Sequence, residues 1–101
     1  MQIELYIDGK KKLFTTPFVP MLAKRKYLEV LAKAEQRETT STIEQLQDDD
    51  EIYSILTDIV FKGQFTLDQL YNGNSIEYIQ MKMREAIFGI KEDDEGNEKG
   101  K

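Results

Sequence analysis

A chain of 101 residues with 14 Lys and Arg against 19 Asp and Glu carries a formal charge of −5, which disfavours a general polyanion binder, and its length suits one small core. It holds no Cys and no His, so disulfide frameworks, zinc knuckles, thiolate nucleophiles and the commonest neutral-pH base are excluded. Its 40% hydrophobic residues can build a core without metal or disulfide, while no apolar stretch approaches the roughly 20 residues of a bilayer span. The start, Met1-Gln2-Ile3-Glu4, has neither the basic nor the apolar region of a signal peptide, so the expected location is the cytoplasm.

Ile3, Leu5 and Ile7 alternate with Glu4 and Tyr6 and run into Asp8-Gly9, whose tolerance of positive φ predicts a tight hairpin over residues 2–16. A two-residue loop sets Ile7 opposite Lys10 and Ile3 opposite Phe14; a three-residue loop with a bulge sets Leu5 opposite Leu13. Both registers remain open at this point. Lys10, Lys11 and Lys12 crowd the return strand, where they discourage edge-to-edge pairing. Thr16-Pro17-Phe18-Val19-Pro20 is a stiff connector, because each proline removes an N–H and biases its predecessor toward extended backbone.

From about 21 to 36, Leu22, Ala23, Tyr27, Val30, Leu31 and Ala34 recur at helical intervals, with Lys24, Arg25, Lys26 and Lys33 on the other face. Arg37 to Thr42 has no apolar residue and reads as a joint, followed by at most a short turn at Ile43 and Leu46. A second helix is expected over about 49–62, with Asp48-Asp49-Asp50-Glu51 at its N-terminus, where the helix dipole favours negative charge. Ile52, Tyr53, Ile55, Leu56, Ile59 and Val60 form its apolar stripe, and Lys62-Gly63 closes it.

Thr66-Leu67-Asp68-Gln69 has the spacing of a capping box, and Asn72-Gly73 limits the following helix to about 66–72. Asn74 or Ser75 can cap a last helix over about 75–90, in which Ile76, Ile79, Met83, Ala86, Ile87 and Ile90 share a face. Residues 91–101 contain no hydrophobic residue and are expected to form a disordered charged tail. The predicted class is therefore α+β, an N-terminal β-hairpin followed by three to four α-helices in one small domain, residues 1–90.

Charge is uneven: residues 1–37 sum to +4, residues 38–90 to −7 and the tail to −2. Opposite blocks could attract within the fold or between subunits of a homo-oligomer. The acidic run Asp48–Glu51 lacks the alternation, central glycine and distant Glu of a calcium loop, so no metal site is expected. Its carboxylates have no neighbouring feature to split their pKa values, and the glycines are too scattered to cradle phosphate. No catalytic residue, cofactor or membrane partner is predicted. A DNA-reading helix around residues 52–71 would bring only Lys62 to the phosphates, so nucleic acid is not expected either. Protein–protein interaction survives elimination.

Ile3-Glu4-Leu5-Tyr6-Ile7-Asp8-Gly9-Lys10-Lys11-Lys12 leads into Phe14-Thr15-Thr16-Pro17-Phe18-Val19-Pro20 and a helix bearing Arg25 and Leu28. Gly63-Gln64-Phe65-Thr66-Leu67-Asp68-Gln69-Leu70-Tyr71-Asn72-Gly73 follows. Over residues 2–90 these segments resemble the tail assembly chaperones of long-tailed bacteriophages and prophages of Gram-positive bacteria. The resemblance implies a non-enzymatic morphogenesis factor of the host cytoplasm, absent from the mature virion, that binds and solubilises the tape measure protein. It also implies a tail tube protein as a second partner, through a frameshifted extension attached at residues 91–101. Another small morphogenesis protein, such as a head–tail completion factor, is the alternative, with a nucleic-acid-binding regulator behind it.

A long helical partner calls for an apolar groove. The candidate contact residues are Phe14, Phe18, Tyr27 and Leu31 at the hairpin–helix junction, with Lys24 and Arg25 at the rim. Taken singly, Phe14, Phe18 and Leu31 are more readily core than contact.

Overall fold

The computed structural model of the chain describes residues 1–89. Strands β1 (Gln2–Ile7) and β2 (Lys10–Thr15) form a two-stranded antiparallel sheet with Ile7 opposite Lys10 and Ile3 opposite Phe14. The two-residue loop wins over the bulged one because Asp8 and Gly9 both take positive φ, 54° and 77°, and a turn of that hand matches the twist of the strands. Past the strands the ladder gains one more pair, Thr16 N–H to Met1 O and the Met1 ammonium to Thr16 O, each at 2.9 Å. Period-two alternation then buries Ile3 and Leu5 fully and leaves Tyr6 and Leu13 outside.

Helix α1 (Met21–Glu35) starts after Pro20, which is itself extended and stands at the N-cap position. Its buried side is Ala23 and Val30, with Tyr27 packed against the core. Leu22, expected on that stripe, is more than half exposed, because it sits about 100° round the helix from Ala23.

Helix α2 (Thr42–Ser54) begins seven residues earlier than its apolar stripe predicts. Ser41 and Glu44 form a reciprocal capping box, Glu44 N–H to Ser41 Oγ at 3.1 Å and Ser41 N–H to Glu44 Oε1 at 2.9 Å. The polar joint therefore conceals a helix start, and Asp48–Glu51 lies in the middle of α2 instead of at its N-terminus. The helix continues as a π-helical segment, Ile55–Val60. A wider turn advances fewer degrees per residue, so Ile55, Leu56, Thr57 and Val60 all reach the interior. Thr57 satisfies its buried hydroxyl by donating to Ser54 O at 3.1 Å. Lys62 and Gly63, with φ of 53° and 83°, then reverse the chain.

Helix α3 (Leu67–Gly73) carries the Thr66/Gln69 capping box that its spacing predicts. Helix α4 (Ile76–Phe88) is capped by Ser75, which accepts from Tyr78 N–H at 3.1 Å. It ends two residues short of position 90 because Gly89 turns left-handed, with φ of 74°. The expected tail, residues 91–101, lies outside the described residues.

One core joins these elements. Ile3 and Leu5 of β1 meet Ala23, Ile55, Leu56, Val60, Phe61, Phe65, Leu70, Ile79, Met83 and Ile87. Phe65 stacks at a tilt on both Phe61 and Phe14, with centroids 5.3 and 4.9 Å away. The α3–α4 junction runs along the outer edge of β1. Glu4 N–H donates to Tyr78 Oη at 2.9 Å, and Asn74 Nδ2 donates to Glu4 O at 3.0 Å. Gly73 makes this approach possible: a Cβ there would lie 2.9 Å from Leu5 Cβ.

Gly73→Ala is expected to destabilise the fold by about 1–3 kcal/mol, read as a lower urea midpoint with unchanged slope. The Ser41 N–H holds the Glu44 carboxyl below the usual carboxylate range. Its contribution is therefore complete above that range and lost as pH falls through the lowered value. Glu44→Gln keeps an acceptor but removes the titration, so the variant's thermal midpoint should fall less steeply than wild type over roughly pH 3–5.

Candidate functional site

The six candidate contact residues divide into two environments. Phe14 is half-buried against Phe65, and Tyr27 is half-buried with its ring edge-on to Phe88 of α4, centroids 5.7 Å apart. Leu31 is also half-buried. Phe18, in the connector, is 63% exposed, and Lys24 and Arg25 are exposed on α1, where Arg25 Nε lies 3.6 Å from Glu29. The structure thus keeps Phe18, Lys24 and Arg25 on the surface and turns Phe14, Tyr27 and Leu31 partly inward.

Two further residues of α1, both off its apolar stripe, are exposed. Met21 is 82% exposed and Leu28 is 50% exposed. At a spacing of seven they share one side of α1 with Arg25, away from Ala23 and Val30. The signal was available: Leu28 falls off the Ala23-Tyr27-Val30-Ala34 stripe, and a large apolar residue off the stripe of an amphipathic helix marks a surface to be covered. Lys24 and Arg25 flank it, each within about 60° of Met21 or Leu28 round the helix.

The acidic run has a structural part to play. Arg37, just past α1, donates from Nη2 to both Asp48 oxygens at 2.9 and 2.8 Å, with both side chains mostly covered. That hydrogen bond raises the Arg37 pKa, against some desolvation. Lys33 Nζ grips Glu51 at 2.9 and 3.0 Å, and Tyr71 Oη donates to Asp50 at 2.7 Å. The opposite charge blocks of the sequence therefore meet inside one chain, pinning α1 and α3 to α2. Among the described residues no group of three or more acidic side chains is arranged to hold a metal ion.

Beside this run, a cavity of about 260 Å³ opens between α2, α3 and α4, lined by Asp49, Tyr53, Tyr71, Asn74, Ile76, Ile79 and Gln80. A shallower one, about 240 Å³, lies beside the hairpin turn against Asp68, Gln69 and Asn72 of α3. Neither the cavities nor the outer face of α1 brings together a nucleophile and a base. What the surface offers is apolar area rimmed by charge.

A family model described as phage tail chaperone protein matches residues 1–101. The chain belongs to the phage tail chaperone family. No curated protein and no solved structure matches it. Among the described residues no helix is long and apolar enough to cross a membrane.

Asp48→Asn is expected to lower the urea midpoint clearly, since it strips the covered Arg37 of its charged partner, whereas Asp49→Asn should leave the midpoint within error. Paired unfolding curves of the two variants check the assignment.

Proposed function

We propose that the chain binds the tape measure protein of a phage tail in the cytoplasm of the infected host and keeps its apolar helices soluble until the tail tube is built around them. The observation that carries this reading is the exposure of Phe18 in the connector and of Met21 and Leu28 on the outer side of α1. Such a face suits the apolar side of an amphipathic helix, whose anchors recur at three, four and seven residues. Lys24 and Arg25 at its margin favour a helix with acidic flanks and repel a basic one. Membership of the tail chaperone family supports the same reading, since a chaperone of a tail acts on the proteins from which the tail is built.

Co-expression with the adjacent tape measure protein tests it. The wild-type chain is expected to raise the soluble fraction of the tape measure severalfold and to co-purify with it. The double variant Phe18→Asp, Leu28→Asp should abolish both effects while its circular dichroism and urea midpoint stay at wild-type values. A tape measure equally soluble with and without the chain overturns the reading; a double variant as effective as wild type overturns the face.

A further inference from the structure

The four carboxylates of Asp48–Glu51 are not equivalent. Asp48 is held by Arg37, Glu51 by Lys33 and Asp50 by the Tyr71 hydroxyl. Asp49 is half-buried, lines the cavity between α2, α3 and α4, and makes no hydrogen bond or ion pair with another described residue.

The walls around Asp49 are aromatic. The Tyr53 and Tyr71 rings meet nearly edge to face, with centroids 6.0 Å apart and planes at 75°. Ile79 supplies an apolar wall and Ile76 an exposed apolar lip, while Asn74 and Gln80 add amide groups. Burial is the largest cause that pushes both tyrosine hydroxyls up; the hydrogen bond to Asp50 and the Asp50 charge push Tyr71 further, and the Asp49 charge adds to both. At about 260 Å³ the space is smaller than the roughly 300 Å³ at which pockets for whole small molecules begin. It has room for one long side chain.

We infer that this cavity is a receptor for an arginine side chain presented by a binding partner, with Asp49 taking the guanidinium and the Tyr53 and Tyr71 rings flanking it. An anion is repelled by Asp49 and by its neighbour Asp50. A purely apolar side chain would strip water from Asp49 and return nothing. A guanidinium answers each wall: its planar face stacks on a tyrosine ring, its fork meets a carboxylate, and its methylenes lie on Ile76 and Ile79. Lysine, a compact and strongly hydrated charge, gains less from flat aromatic walls. Residues 38–90 sum to −7, which attracts a basic segment to this side of the molecule. The inference does not depend on which tail protein the chain holds.

The test is an NMR titration of the full chain with the pentapeptide acetyl-Ala-Ala-Arg-Ala-Ala-amide and with the same peptide carrying citrulline, the neutral isostere, or lysine. Saturable shifts are expected at the Tyr53 and Tyr71 rings and the Gln80 side-chain amide with the arginine peptide. Binding should be at least tenfold weaker with citrulline and with lysine, and at least tenfold weaker in Asp49→Asn, whose urea midpoint is expected to match wild type. Absence of saturable shifts with the arginine peptide overturns the inference, as does equal binding of the citrulline peptide. Equal binding of the lysine peptide overturns the guanidinium assignment. Failure of the tape measure co-expression leaves these shifts untouched, because the peptide reports on the cavity alone.

Discussion

A two-stranded hairpin is marginal in water, and a strand edge left open is a template for aggregation. The outer edge of β1 at Glu4 is therefore the constraint on which the rest of this fold depends. Tyr78 and Asn74 satisfy its N–H and C=O across sequence separations of 74 and 70 residues, and Gly73 lets the backbone come close enough for them to do so. With the two ends of the described chain fastened in this way, the intervening helices have one cavity to fill. The π-helical segment fills it by turning consecutive residues inward. The opposite edge of the sheet, on β2, carries Lys10, Lys11 and Lys12, which oppose the approach of another strand.

Electrostatics does a second job, docking helix to helix. Lys33 and Arg37 reach from the end of α1 to the middle of α2, and Tyr71 reaches back from α3. Because Arg37 and Asp48 are mostly covered and doubly hydrogen-bonded, their pairing fixes geometry in a way that the exposed pairs of Arg25 and Lys26 with Glu29 do not. Two exposed surfaces among the described residues differ in chemistry. One is apolar with a basic margin, on α1 and its connector; the other is aromatic and acidic, between α2, α3 and α4.

That separation matters for a member of the tail chaperone family. A chaperone must hold a partner without sequestering it permanently, and small surfaces with few anchors release more readily than large ones. An apolar helix face and a one-residue receptor can each be weak alone, yet gain from being engaged together by one long partner.

Much of this was legible in residue order. Asp8-Gly9 specified the turn, Thr66 and Gln69 the start of α3, and the 3.6-residue stripes the cores of α1 and α4, because each of those signals acts over a few residues. The opening of α2 was legible too, in Ser41-x-x-Glu44, but it was masked by the polar composition around it. Of the candidate contacts, Phe18, Lys24 and Arg25 lie on the surface, and Met21 and Leu28 join them there. The hairpin, the order of helices after it, the acidic balance and the lack of cysteine and histidine were all determined by the sequence by itself, since they rest on composition and local spacing. Only the tertiary structure decided that Asn74 and Tyr78 close the edge of β1, that Asp48 belongs to Arg37 and Asp49 to a cavity, and that Phe18 faces solvent while Phe14 packs on Phe65. Those choices depend on which distant segments come to lie side by side, and no local periodicity encodes that.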